Sequence, residues 1–171
     1  MTNRLQTNKR SIKVRLSLLI MLAPFAVTFA SCNVNVPVVP PLGTKSLQVT
    51  SNVEGDLYAS DALAAVNATF YSVLANAKHG TDNIAINIIV PIQNTVPYTV
   101  DVASDPVAII GYQIGTKGQY AAQKNFGSGT ITITQVSPTI VGTFHGTVWL
   151  SPAAGSDTTR VLADGQFNAP F

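Results

Sequence analysis

Beyond residue 45, apolar and polar residues alternate with a period of two over most of the chain. Leu47, Val49, Ser51 and Val53 fall on one side of an extended segment, and Ile84, Ile86, Ile88 and Val90 on one side of another. Ile131 and Ile133 alternate with Thr130, Thr132 and Thr134. Successive side chains of a strand point to opposite faces, so these segments read as half-buried strands. The longest runs from Ile140 to Leu150. Ile140, Gly142, Phe144, Gly146, Val148 and Leu150 point one way there, and Val141, Thr143, His145, Thr147 and Trp149 the other. Turn residues separate the runs at Glu54-Gly55-Asp56, His79–Asn83, Ser137-Pro138-Thr139 and Pro152–Asp157. Short connections favour antiparallel neighbours. The last three strands, near Thr130–Val136, Ile140–Leu150 and Arg160–Phe167, are therefore expected to form a meander. Ser60–Asn67 (SDALAAVN) is the one segment that reads as a short helix, with Ser60 or Asp61 as its cap, or else as a loop across a sheet end. Strands spaced by roughly 8–12 residues without long intervening helices predict an all-β fold. The expected architecture is an antiparallel β-sandwich, with a barrel-like closure as the variant of the same pattern.

The N-terminus has a different pattern. Arg4, Lys9, Arg10, Lys13 and Arg15 precede the apolar run Leu16–Ala30, which ends in Ser31-Cys32. A spanning helix needs about 20 apolar residues, so fifteen, interrupted by Pro24, read as the core of a cleaved signal peptide. Small residues before the only cysteine of the chain resemble a bacterial lipoprotein signal, with Phe29 where leucine is usual. The resemblance implies cleavage before Cys32, which becomes the lipidated N-terminus and carries several acyl chains, palmitate included. Each buried CH₂ adds about 0.8 kcal/mol of membrane affinity, so several acyl chains anchor permanently. The expected organisation is a signal peptide over 1–31, a lipidated Cys32 with a Pro-rich tether over 32–45, and one domain over 46–171. An extended tether of that length reaches roughly 40 Å from the bilayer. No acidic run follows Cys32. Surface-exported lipoproteins of Bacteroidetes-type bacteria carry one, so the expected seat is the outer membrane facing the periplasm rather than the cell surface.

The C-terminal third, with Gly127-Ser-Gly-Thr-Ile-Thr-Ile-Thr134, Ile140-Val-Gly-Thr-Phe144 and Val161-Leu-Ala-Asp-Gly-Gln-Phe167, resembles a group of Bacteroidetes-type secreted lipoproteins. These carry a domain of unknown function with the pattern GxGTIxIT, GTF and DGxF. The resemblance implies a compact β fold on a lipid anchor, and it assigns no catalytic residue.

Charge and composition narrow the chemistry further. The formal charge is +2, but five of the ten basic residues belong to the first fifteen positions and all eight acids lie beyond residue 50. From residue 32 onward five basic residues face eight acidic ones. No basic stripe is left to neutralise phosphates, which argues against nucleic acid as a partner. One cysteine excludes a disulfide framework and any multi-cysteine zinc site. His79 and His145 have no metal-ligand spacing, and Phe126-Gly127-Ser128-Gly129 lacks the first glycine of a nucleophile elbow. Asp56 and Asp82-Asn83 read as turn residues before calcium ligands, because no D-x-D-x-D spacing occurs. Asp157-Thr158-Thr159 resembles an O-glycosylation motif of exported proteins. No cofactor or metal is expected, and no catalytic residue is assigned.

The row Thr143, His145, Thr147 and Trp149 is the candidate ligand face: an indole, an imidazole and two hydroxyls in line suit stacking on a sugar ring and hydrogen bonding to its hydroxyls. The competing reading buries Trp149 against a second sheet. The sequence thus points to a non-enzymatic, membrane-anchored envelope lipoprotein whose β domain binds a glycan or a protein. Its alternatives are a structural partner acting through a sheet edge and, behind it, a carboxylate-based hydrolase.

Overall fold

The computed structural model describes residues 45–150 and 159–171. The signal peptide, Cys32 and the tether lie outside the described residues, as do Asp157 and Thr158. The described chain forms β1 (Ser46–Ser51), β2 (Gly55–Ala59), β3 (Leu63–Val66), β4 (Phe70–His79), β5 (Asp82–Pro91) and β6 (Tyr98–Asp101), then β7 (Ile109–Ile114), β8 (Gly118–Ala122), β9 (Ser128–Gln135), β10 (Thr139–Leu150) and β11 (Thr159–Pro170). The fold is all-β, and the strands pair antiparallel throughout.

All eleven strands belong to one continuous sheet in the order β2-β1-β11-β10-β8-β7-β5-β4-β3, with β9 sharing with β8 the edge of β10 that faces away from β11, and β6 beyond β9. The sheet curls on itself: β2, at one end of the path, packs beside β4 near the other. Asp61, just after β2, accepts the Asn76 amide of β4 through Oδ1 at 3.1 Å. The barrel-like variant of the expected pattern describes this arrangement. A curled sheet needs only one buried face, which is what period-two alternation supplies.

The inward positions are those the alternation singles out. Ile84, Ile86, Ile88 and Val90 of β5 are fully buried, as are Ile131 and Ile133 of β9 and Ile140 and Val148 of β10, with Phe144 nearly so. The meander β9-β10-β11 forms with the expected order. Val53 departs from its expected face: β1 ends at Ser51, and Val53 is exposed in the turn, where its amide is held by the Ser51 hydroxyl.

Ser60–Asn67 is not a helix. Residues 60–62 turn a corner, and Leu63–Val66 pair with β4 as β3. Eight residues are too few to nucleate a stable helix. Here Ala62 and Ala64 take inward positions, while the Ala62 amide bonds to the Lys45 carbonyl at 2.9 Å. Strand pairing overrides the alanine helix propensity.

One junction positions the site. Strand β10 pairs with β9 up to Thr147 and with β8 from Trp149 onward. The β8–β9 loop is pressed against this switch point, closed by the reciprocal backbone bonds of Gln123 and Phe126 at 2.7 and 2.8 Å. Gly127 follows with φ +72°, and a Cβ there would stand 2.6 Å from the Thr147 carbonyl oxygen and 2.9 Å from the Ala122 Cα. Only glycine meets both demands.

Candidate functional site

The outward positions of β4, β5, β7 and β8 enclose a lateral groove of about 550 Å³. Its floor follows from the register. Leu74 of β4 stands opposite Asn87 of β5, Asn87 opposite Gly111 of β7, Gly111 opposite Ala121 of β8, and Ala121 opposite Trp149 of β10. Two small residues at the centre leave a depression where larger outward side chains would close it. One outward step along the strands sets Gln113 opposite Gln119, and on the other side the loop supplies Gln123 and Phe126. Gln119 and Gln113 come together at 3.5 Å, and Asn87 accepts the Ser72 hydroxyl at 3.3 Å.

Trp149 is 45% exposed, and its indole stands edge-on to Phe126 with ring centroids 5.6 Å apart at 75°. Phe126 closes one end of the groove and Trp149 backs it from outside the lining, in the edge-to-face geometry such rings prefer. The side chains lining the groove are amides, apolar groups and aromatics, with no charged group among them.

The four residues singled out along β10 all point outward, but they face different neighbours. Thr143, exposed, lies between Thr132 of β9 and Gln166 of β11, and exposed His145 lies opposite Thr130. Thr147, half-buried, lies between Ser128 and Val161. Only Trp149 adjoins the groove: it does not line it, but it stands opposite Ala121 and against Phe126, which do. The groove residues Leu74, Asn87, Gly111, Gln113, Gln119, Ala121, Gln123 and Phe126 escaped sequence reasoning. Their signal was the outward spacing Gly111-x-Gln113 and Gln119-x-Ala121-x-Gln123, small residues and amides at period two.

A second, smaller cavity of about 240 Å³ lies where the β1–β2, β4–β5 and β7–β8 turns gather. Beside it, Arg160 Nε donates to Glu54 Oε1 at 3.2 Å with both side chains nearly buried. The Tyr112 hydroxyl donates to Glu54 Oε2 at 2.9 Å, and the Ser51 hydroxyl to the same oxygen at 2.5 Å. The guanidinium also lies 4.6 Å over the Tyr120 ring, a cation–π distance. Burial alone would raise the Glu54 carboxyl, yet the bonds from Ser51, Tyr112 and Arg160, with the guanidinium charge, together hold it below its ordinary value. Both its oxygens are engaged and it stays ionised, which suits a clamp between elements and not a proton donor. Elsewhere, Asp56 accepts the Thr50 hydroxyl at 2.7 Å, and Asp82 is bridged by Lys117. Among the described residues, no three of His, Cys, Asp and Glu gather to hold a metal ion, and no helix is long and apolar enough to cross a membrane.

Fold and site together define an all-β, curled antiparallel domain with a neutral lateral groove and an aromatic wall. No family model, curated protein or solved structure matches the chain.

Proposed function

We propose that residues 46–171 form a non-catalytic glycan-binding module, held by a lipidated Cys32 at the outer membrane and facing the periplasm. The observation that carries the binding part is the uncharged, amide-lined groove that ends at Phe126, whose ring meets the exposed Trp149 just beyond the lining. Sugar rings present apolar CH faces that pack on aromatic rings, and amides both donate to and accept from their hydroxyls. The anchor part rests on the N-terminal sequence. Pairing through a sheet edge has less support, because the free strands β2, β3 and β6 are only four or five residues long and offer a short template.

Trp149 is the single tryptophan of the chain, so its fluorescence reports the site directly. Titrating the domain with neutral oligosaccharides is expected to shift or quench that emission. Trp149→Ala should weaken binding about 10- to 100-fold by calorimetry, on the scale of one aromatic contact, while the variant stays folded. Binding that survives Trp149→Ala unchanged, or the absence of binding by any neutral or charged glycan, overturns this function. For the anchor, Cys32→Ala in the full chain is expected to release the protein from membranes or to leave an uncleaved precursor. Fractionation that finds a processed, membrane-bound Cys32→Ala product counts against lipidation.

A further inference from the structure

The groove belongs to a longer alignment than its own walls. Leu63 of the edge strand β3 pairs with Leu74, so the outward row reads Leu63, Leu74, Asn87, Gly111, Ala121, Trp149 across six neighbouring strands. Leu63 is 57% and Leu74 49% exposed. At about 4.8 Å between strands, the row from Leu63 to Trp149 measures roughly 24 Å along the curled sheet surface. A single sugar ring on the indole would use only one end of it.

We infer that the occupant is a linear, uncharged glycan lying across the strands, its chain running from the Trp149–Phe126 wall over Gly111 and Ala121 to the Leu63–Leu74 pair. This rests on the glycan-binding reading of the groove and adds the polymer's shape and direction. Three observations favour it. The centre of the row is almost free of side chains, so the ligand backbone passes close to the sheet, as a furrow needs. Gln113 and Gln119 on one flank and Gln123 on the other bring amides to both sides of the row, matched to a ligand with hydroxyls on both edges. Among the described residues no charged side chain lines the groove, so nothing there compensates the desolvation of a uronate or sulfate. A peptide is the less suited occupant: β5, β7 and β8 are each paired on both sides, leaving no backbone edge for β-augmentation.

The test uses Gly111→Gln. A Cβ at Gly111 meets nothing nearer than 3.4 Å, so the longer side chain rises into the groove without disturbing the sheet. Ala121→Gln serves as a second block from the neighbouring strand. Wild type and variants would be titrated with cello-, laminari-, manno- and xylo-oligosaccharides of increasing length by calorimetry and Trp149 fluorescence, with a peptide mixture and an oligouronate as comparators. For the series that binds, wild-type affinity is expected to rise about tenfold or more with length before reaching a plateau. The blocked variants should hold long chains no better than the shortest binding fragment. Affinity independent of length, or blocked variants that bind long chains like wild type, overturns the crosswise linear site and leaves a local Trp149 site standing. A response to the oligouronate alone overturns the uncharged linear occupant and leaves glycan binding standing, whereas a response to the peptides with none to any oligosaccharide overturns both.

Discussion

Arg160→Met is expected to lower the stability of the domain by about 3–5 kcal/mol at neutral pH, because it leaves the Glu54 carboxylate buried without its cation. Met keeps most of the aliphatic stem of Arg160 and gives up the guanidinium, which makes both the ion pair and the contact with the Tyr120 ring, so most of the cost is electrostatic. The double variant Glu54→Gln/Arg160→Met should recover a large part of it: the amide that replaces the carboxylate carries no charge and still offers an oxygen to Tyr112 and Ser51. The pH dependence separates charge from packing. Glu54 is held below its ordinary value of 4.5, so its contribution is present above that pH and is lost as pH falls through the lower folded-state value. Without Arg160 the buried carboxyl prefers its proton, and the gap between wild type and Arg160→Met should narrow in acid. Denaturant midpoints measured across pH check this, and a gap that stays constant would mean that lost packing on Tyr120 dominates. The alkaline side has the opposite sign. Burial, helped by Tyr71, pushes the Tyr98 hydroxyl up to about 12, and burial with the bond to Glu54 raises Tyr112 further. The native state keeps these protons longer than the unfolded chain does, so this stability is present below about pH 10 and is lost as pH rises beyond it.

Phe167→Ala is the second large loss, about 3–5 kcal/mol. Phe167 is fully buried on β11, opposite Leu47 of β1 and Gly142 of β10, with its ring 6.4 Å from that of Phe144. The ring fills the space above Gly142, where a Cβ would stand 2.7 Å from its Cζ. Glycine on the facing strand has no side chain to swing into the cavity, which places the cost toward the upper end of the range. A fall in melting temperature on the order of 10 °C or more should follow. A loss below about 1 kcal/mol would mean that β10 and β11 close over the gap, contrary to the packing described.

The β class and the inward faces of β5, β9 and β10 were legible because isoleucine and threonine alternate there without interruption, and alternation is local. The candidate site was legible only at Trp149. Its other residues come from four further strands and a loop, and register, which no local pattern encodes, brings them together: Phe126 and Trp149 meet because β10 changes partners after Thr147. The Glu54–Arg160 clamp joins residues 106 positions apart. Composition held one hint of it, since Glu54 is the only glutamate and Arg160 the only arginine beyond residue 15. Ser60–Asn67 misled for a physical reason: alanine favours helix in isolation, while pairing with β4 gives the same residues backbone partners and an inward face.

The groove lies on strands whose opposite faces form the core, and this separates two kinds of selection. Ile86, Ile88, Ile110 and Tyr112 point inward and fix the fold, while Asn87, Gly111, Gln113 and Leu74 point outward on the same sheet. Exchanges at outward positions that touch no core atom usually change stability by no more than about 0.5 kcal/mol. The outward surface of these strands can therefore change by single steps without passing through unfolded intermediates, whereas drift on the inward side is purged.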